Sequence, residues 1–259
     1  MISIVTITFN NYDELIKTVN SIPRSTLTEH IVINGGTCKK TIEFLTAFSG
    51  KHISEKDNGI SDAFNKGIKF STGEYIMFLN SGDILLDKNY PQTAQKYLDE
   101  HADISFIHSN IIFSDGLGAD LFMRPHMSNA GRGMPYNHPT MVVRKKVFDE
   151  IGYFREELRY AMDLDLVVRM EKKGLKGFYL DTDAVVRMDG AGVSVSREID
   201  SIKECYKILK NENYLSPGIR LSFYKRYILY LLRKVLIGIG AKSLLKKIKQ
   251  MKHHPQANL

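Results

Sequence analysis

Cysteine is nearly absent. Cys38 and Cys205 are the only two in 259 residues, they lie far apart, and they form no C-x-x-C pair. Neither a disulfide framework nor a zinc cluster is indicated, the two thiols read as small packed side chains, and a reducing cytoplasm is the expected setting. Long apolar runs are missing too. No window supplies the roughly 20 uninterrupted apolar residues that a spanning helix needs. Met1–Ile7 runs straight into Thr8-Phe9-Asn10 without the basic start of a secretory leader. Acidic residues stop at Glu212. Residues 217–259 carry ten Lys or Arg and no Asp or Glu, which leaves residues 1–216 with 26 basic and 29 acidic side chains, a net of −3. The formal charge of +7 therefore belongs to a tail and not to the body.

Several chemical signatures are lacking as well. No G-x-G-x-x-G follows the first apolar run, which argues against dinucleotide binding, and G-x-x-x-x-G-K-[ST] is absent. Without G-x-S-x-G, a hydrolase nucleophile has no home. The Gly-rich, basic N-terminal loop of sugar nucleotidyltransferases is also missing.

What is present is an ordinary globular composition, 43% hydrophobic and 25% charged, long enough for one large domain plus an appendage. Ile2–Thr8 is a β-branched run suited to a buried strand. Asn10-Asn11 is placed to cap a helix running to about Ser21, which Pro23 ends. His30–Ile33 predicts a second strand, and Thr37–Phe48 a helix with Ile42, Leu45 and Phe48 on one face. Asp57-Asn58-Gly59 turns into a helix marked by Ile60, Phe64 and Ile68, and Glu74–Leu79 is the next strand. This alternation implies a mainly parallel sheet with helices on both faces, whose ligands sit at the carboxyl ends of the strands. Further on, Ile104–Phe113 predicts one or two strands, Ser114-Asp115-Gly116 a turn, and Met123–Pro139 a loop. Helices are expected over Lys145–Ile151 and Met162–Lys173, short strands over Gly177–Leu180 and Ala184–Met188, and a last helix reaching about Lys210.

Four carboxylates, Asp57, Asp62, Asp83 and Asp163, lie at or near the ends of apolar elements. Hard divalent cations take such oxygen ligands together with substrate phosphates. Each also has a plainer reading. Asp83 and Asp57 suit turns, Asp163 in a first helical turn complements the dipole, and His138 before Pro139 could be a packed imidazole. Asp163 and Asp165, two apart on a helix, point in different directions, so at most one enters a site.

Together, "ISIVTITFNN", "HIVINGGTCKKT", "SEKDNGISDAFNKGIKFSTGEYIMFLNSGD" and "NHPTMVVRKKVFDEIGYFREELRYAMDLDLVVRMEKKG" resemble, in order, the motifs of a family 2 glycosyltransferase of the GT-A fold. The resemblance runs from Ile2 to about Ser194. It implies a GT-A domain over 1–212, with a nucleotide-sugar half (1–100) and an acceptor half (101–212). It implies that Thr6, Thr8, Asn10 and Asn34 line the nucleotide pocket, that Asp62 helps the pyrophosphate–sugar region, and that Lys66 belongs to the donor site. Asn80, Ser81, Asp83 and His138 complete the donor-site set, with Asp83 coordinating Mg²⁺ or Mn²⁺ on the diphosphate. Asp163 matches the general base of an inverting transfer. Where relatives often carry Asp to receive the base's ring N–H, this chain has Asn34, and Asn80 and Gly82 leave Asp83 as the only carboxylate of its motif.

The tail, 213–259, alternates apolar clusters with cations over Arg220–Lys234 and again over Ala241–Lys252. Such helices lie in a membrane interface and favour anionic lipid. A helical cap on the domain is the other reading, and no motif supports nucleic acid. The implied function is a metal-dependent inverting glycosyltransferase, peripheral on the cytoplasmic face of the cell membrane. It would move a sugar from a nucleoside-diphosphate sugar, of UDP type, to a glycan or polyprenyl-diphosphate-linked acceptor. A sugar nucleotidyltransferase and a non-catalytic sugar-nucleotide binding protein are the alternatives.

Overall fold

A computed structural model describes residues 1–114, 120–126, 129–190, 192 and 197–238. The first half alternates as its apolar pattern demands: β1 (Ile2–Thr8), α1 (Tyr12–Ser21), β2 (Thr28–Asn34), α2 (Lys39–Thr46), β3 (Lys51–Ser54), α3 (Ile60–Phe70) and β4 (Tyr75–Phe78). Then come β5 (Ile84–Leu85), α4 (Tyr90–Glu100), β6 (Ile104–His108), β7 (Ile111–Ser114), β8 (Asp120–Met123) and β9 (Val142–Arg144). The chain continues through α5 (Lys146–Ile151), α6 (Met162–Lys172), β10 (Lys176–Tyr179), β11 (Val186–Asp189), α7 (Glu198–Asn211) and α8 (Pro217–Gly238).

Seven strands form the main sheet in the order β10-β6-β9-β4-β1-β2-β3. β1 is parallel to both β2 and β4, β2 to β3, and β10 to β6, while β9 runs antiparallel between β4 and β6. The α/β class and the mainly parallel sheet are thus as expected. β6, β9 and β10 join the same sheet as β1–β4, so the two expected halves share one scaffold. A smaller sheet, β5-β11-β7-β8, flanks it.

Period-2 alternation sends Val5, Ile31, Ile33, Ile76 and Phe78 to one face, under α3, α5, α6 and α7. Ile2, Ile4, Tyr75 and Met77 face the other way, against α4 and β11, and Val32 meets Leu15 of α1 and Leu45 of α2. Phe78 is the keystone of the first face: its ring packs on Phe64 (4.6 Å), Phe154 (5.4 Å) and Phe148 (6.2 Å). Truncating such a ring to alanine costs about 3–5 kcal/mol.

Several details depart from the sequence-based expectation. α4 was not anticipated: Tyr90, Ala94 and Leu98 bury its face, but the residues between them are polar, and Pro91 marks only its start. The strands β5, β8 and β9 are too short to leave a pattern. α2 is confined to Lys39–Thr46, and Ile42 is 41% exposed instead of sharing the buried face of Leu45. Asn11 precedes α1 without capping it, because its Oδ1 accepts from the Thr8 hydroxyl (2.5 Å) and the Phe9 N–H (3.3 Å). Ile104–Phe113 divides at the buried corner Ser109-Asn110 into strands of different sheets. The turn expected at residues 114–116 falls mostly on 115–119, outside the described residues.

α8 packs through its first turns only. Ile219 lies against Gly131, and Phe223 is buried against Tyr206 (5.6 Å). Beyond that, Tyr224, Tyr227, Ile228, Leu229, Leu231, Leu232 and Val235 are exposed. The expected second basic stretch, 241–252, lies outside the described residues. Among the described residues, no helix is long and apolar enough to cross a membrane.

Candidate active site

The register Ile2↔Thr28 to Thr8↔Asn34 brings the carboxyl ends of β1 and β2 level, while β4 ends at Phe78 opposite Val5 and the turn after it runs on along β1 towards the same edge, Ser81 N reaching Ile7 O. β1 has neighbours reached by crossovers on both sides, which makes this edge the natural ligand crevice of a parallel sheet.

At the tip of β4 the chain closes a tight turn. Asp83 N donates to Asn80 O (2.9 Å), Ser81 N reaches Ile7 O of β1 (3.2 Å), and Gly82 N donates to Thr18 Oγ1 of α1 (2.9 Å). Gly82 sits at φ +107°, where a side chain would be strained, and a Cβ there would lie 3.0 Å from Asp189 Oδ2. That explains why the motif keeps glycine, and it places the Asp189 carboxylate beside the turn. Asp83 itself points inward: it is 4% exposed, and its oxygens accept from Asn80 N (3.1 Å) and Asp189 N (3.0 Å). Asp83 thus pins the end of β11 to the tip of β4. Burial pushes its carboxyl up to about 7, against the lowering effect of those two N–H groups. Two other oxygens of the same turn, Asn80 Oδ1 and Ser81 Oγ, are buried without a hydrogen-bond partner among the described residues. Buried polar atoms are seldom left so in a finished fold.

The tip of β2 is different. Asn34 is fully buried, and every atom of its amide is engaged: Nδ2 donates to Gly36 O (3.1 Å) and Ser54 Oγ (2.9 Å), and Oδ1 accepts from Gly36 N (3.1 Å). Asn10, at φ +55°, ties down the loop that leads into α2 through Oδ1, which accepts from Thr37 N (2.8 Å) and Cys38 N (2.9 Å). Thr8 is bonded to Asn11. Thr6 lies away from the edge, fully buried at mid-strand and paired with His30 Nε2 (3.0 Å). Asp62 and Lys66 sit in the first and second turns of α3 and hold the loop before it. Asp62 accepts from Asn58 N (2.8 Å), and Lys66 bridges Asp62 (3.3 Å), Glu55 (2.9 Å) and Lys56 O (3.1 Å). The structure therefore brings Asn80, Ser81 and Asp83 together, sets Asn10, Asn34, Asp62 and Lys66 to work inside neighbouring loops, and leaves Thr6 outside.

Asp163 opens α6, half-buried, its Oδ1 accepting from Leu164 N (2.8 Å). Its approach is fixed from α7, where Glu204 accepts the N–H groups of Arg159 (3.0 Å), Tyr160 (2.6 Å) and Ala161 (2.8 Å). Asp165 turns the other way, fully buried between Arg155 and Arg169 (2.8 Å each). The two carboxylates thus diverge, as the helical spacing requires, and only Asp163 is left partly exposed. His138 joins it to the β4 strand: the ring stacks on Phe78 (5.7 Å, 10°) and sits near Phe64 (5.8 Å). Burial lowers the His138 imidazole below its ordinary range, while the Asp163 carboxylate pulls it back up.

Sequence reasoning missed three contributors. Thr18 reads as a polar residue of an amphipathic helix, and Glu204 acts across 43 residues on Ala161. Asp189 carries the same signal as Asp83, a carboxylate ending an apolar strand, and could have been found by it.

A mostly parallel sheet with convergent polar groups at its carboxyl edge defines an α/β enzyme. Residues 3–155, more than half of the chain, match the family model described as Glycosyl transferase family 2, and the chain belongs to that family. It is 25% identical over 182 residues to a PGL/p-HBAD biosynthesis glycosyltransferase of Mycobacterium bovis, covering 65% of this chain and 69% of that one. Over 88 residues, 32% of this chain and 34% of the relative, it is 36% identical to an uncharacterised glycosyltransferase of Mycobacterium tuberculosis. Among solved structures it is similar to S. aureus TarS 1-349 in complex with UDP-GlcNAc, with a TM-score of 0.65 and 17% identity, covering 82% of this chain and 65% of that one. It is also similar to the mannosyltransferase PcManGT of Pyrobaculum calidifontis in complex with GDP-Man and Mn²⁺, with a TM-score of 0.60 and 13% identity, covering 94% and 80%. At those identities the two structures speak for the fold, which is GT-A.

Proposed function

We propose that this glycosyltransferase is inverting and metal-dependent, with a UDP-sugar as donor and a hydroxyl of a lipid-linked oligosaccharide or surface-polysaccharide precursor as acceptor. The observations that carry this reading are the half-buried Asp163 carboxylate, whose field acts on the His138 ring stacked on Phe78 of β4, and, just beyond that strand, the buried oxygens of Asn80 and Ser81 that have no partner among the described residues. The donor complexes of TarS and PcManGT support the substrate class.

Asp163 takes the proton of the acceptor hydroxyl as that oxygen bonds to the anomeric carbon. The bond from that carbon to the diphosphate breaks on the opposite side, nucleoside diphosphate leaves, and configuration inverts. Glu204 keeps Asp163 aimed by holding the loop before α6. Asn80 Oδ1 and Ser81 Oγ, with Asp189 beside Gly82, form a hard-oxygen set that fits Mg²⁺ or Mn²⁺. Among the described residues no three His, Cys, Asp or Glu side chains form a cage, so these oxygens suit an ion shared with the diphosphate. Such an ion, when bound, neutralises charge on the leaving group. Phe9, 65% exposed at the end of β1, offers a ring on which a base can stack.

The exposed apolar side chains of α8 and the cations of the tail support docking on an anionic membrane. With Ile228→Glu and Leu232→Glu combined, co-sedimentation with anionic vesicles is expected to fall sharply while catalysis on a soluble acceptor persists.

The test is product analysis with Asp163→Asn. Wild type is expected to release nucleoside diphosphate and not pyrophosphate. D163N is expected to lose transfer by roughly 10²–10⁴-fold with donor affinity kept. Pyrophosphate release would favour nucleotidyl transfer, and an unaffected D163N would remove the base.

A further inference from the structure

If Asn34 has no atom to spare, another group must read the donor's base at the tip of β2. The loop Glu55–Gly59 crosses directly over that tip: Glu55 N donates to Asn34 O (3.1 Å). There, Asp57 leans over Gly35 so closely that a Cβ added at Gly35 would lie 1.6 Å from Asp57 Oδ2. Gly35 is not at a positive φ, so glycine is required here for room and not for backbone conformation. The carboxylate therefore occupies the space that a side chain on β2 would take.

One bond fixes the Asp57 side chain and three more tether the backbone on either side of it. Its Oδ1 accepts from Gly59 N (3.0 Å). Asp62 holds Asn58 N (2.8 Å), Lys66 holds Lys56 O (3.1 Å), and the Arg159 guanidinium donates to Asn58 O. Asp62 and Lys66 are thus the scaffold of this turn. With Oδ1 engaged, Oδ2 has no partner among the described residues and is half-exposed at the ligand edge.

We propose that Asp57, not Asn34, is the specificity-determining residue of the donor site, its Oδ2 accepting the ring N–H of a uracil base. The inference rests on the nucleotide-sugar reading above. A carboxylate is an acceptor-only group. It pairs with the N3–H of uracil and faces a lone pair at the corresponding atom of cytosine. A site whose polar group would be left unpaired rejects the wrong analogue strongly. The anionic acceptor also supplies the charge-assisted bond that an amide at Asn34 could not.

The experiment is calorimetric titration of the full chain with UDP and with CDP in Mn²⁺, in wild type and Asp57→Asn. Asn keeps an oxygen for Gly59 N and changes only the outward atom, from acceptor to donor. Wild type is expected to prefer UDP, and D57N to weaken UDP binding by roughly ten- to a hundredfold, the worth of one hydrogen bond to a charged group. The same change is expected to leave CDP no weaker, so that the UDP:CDP ratio collapses or inverts. UDP binding that D57N leaves intact, with the ratio unchanged, overturns the inference and spares the proposed function. Wild type that binds neither nucleotide overturns both. Should D57N melt several degrees early, Gly35→Ala presses the same contact from the strand side. It is expected to erode the UDP:CDP ratio, and a normal ratio there overturns the inference.

Discussion

The tips of β2 and β4 lie on the same edge of one sheet and are built on opposite plans. At β2, Asn34 closes on its own loop and leaves no amide atom free. At β4, the turn is equally well tethered in its backbone, through Thr18, Ile7 and Asp83, yet two side-chain oxygens are buried without partners among the described residues. One tip is complete as protein. The other leaves two acceptor oxygens unused among the described residues. A polar side chain at a strand end therefore says little about ligand binding until its hydrogen bonds are counted.

The comparison can be broken first at β2. Asn34→Ala removes three buried hydrogen bonds and should lower stability by about 2–4 kcal/mol. Denaturant melts measure this, and a loss below about 1 kcal/mol would mean that the tip is not closed as described. Next comes Asp83. Its carboxyl is raised in the folded state to about 7 from an ordinary value of 3.8, so the native state holds a proton that the unfolded chain has released. Stability from this group is full below about pH 4, falls as pH rises towards 7, and stays low above it, by on the order of a few kcal/mol. Asp83→Asn should flatten that fall. Buried His30 and His108, both held down to about 4, act in the opposite sense below pH 6.5, so the difference between wild type and D83N is the quantity to read.

At β4, Asn80→Ala with Ser81→Ala removes oxygens that have no protein partner. Stability should change by less than about 1 kcal/mol, because no hydrogen bond is lost. The thermal shift given by UDP with Mn²⁺ should nonetheless shrink or vanish. If the double variant melts early but binds UDP normally, the two tips are alike and the contrast fails. The smallest effect is expected at Thr6→Val, which breaks the bond to His30: about 1 kcal/mol of stability and no change in nucleotide affinity.

Much of this was legible from residues alone. Apolar runs and breakers located β1, β2, α3, β4 and α6, because long periodic segments leave a strong imprint. The different burial of Asp163 and Asp165 followed from helical spacing, since residues two apart diverge on the surface. α4 escaped because Tyr90, Ala94 and Leu98 make too thin a stripe among polar neighbours. The resemblance set Asp83, Thr6 and Asn34 among the ligand contacts, and the structure adds the protein partner that each also holds, which no local pattern reveals.

The sequence by itself determined the class of sheet, the divergence of the two carboxylates of α6, and the cationic character of the tail. These follow from local pattern: period, spacing and charge lie along the chain. Only the tertiary structure decided which polar groups remain available. Asp83 is bonded to a backbone N–H 106 residues away, Ala161 is held by Glu204 from a different helix, and Asp57 lies over Gly35, just beyond the end of β2. A hydrogen-bonding group is satisfied by whatever reaches it in space, and the order of residues does not reveal that.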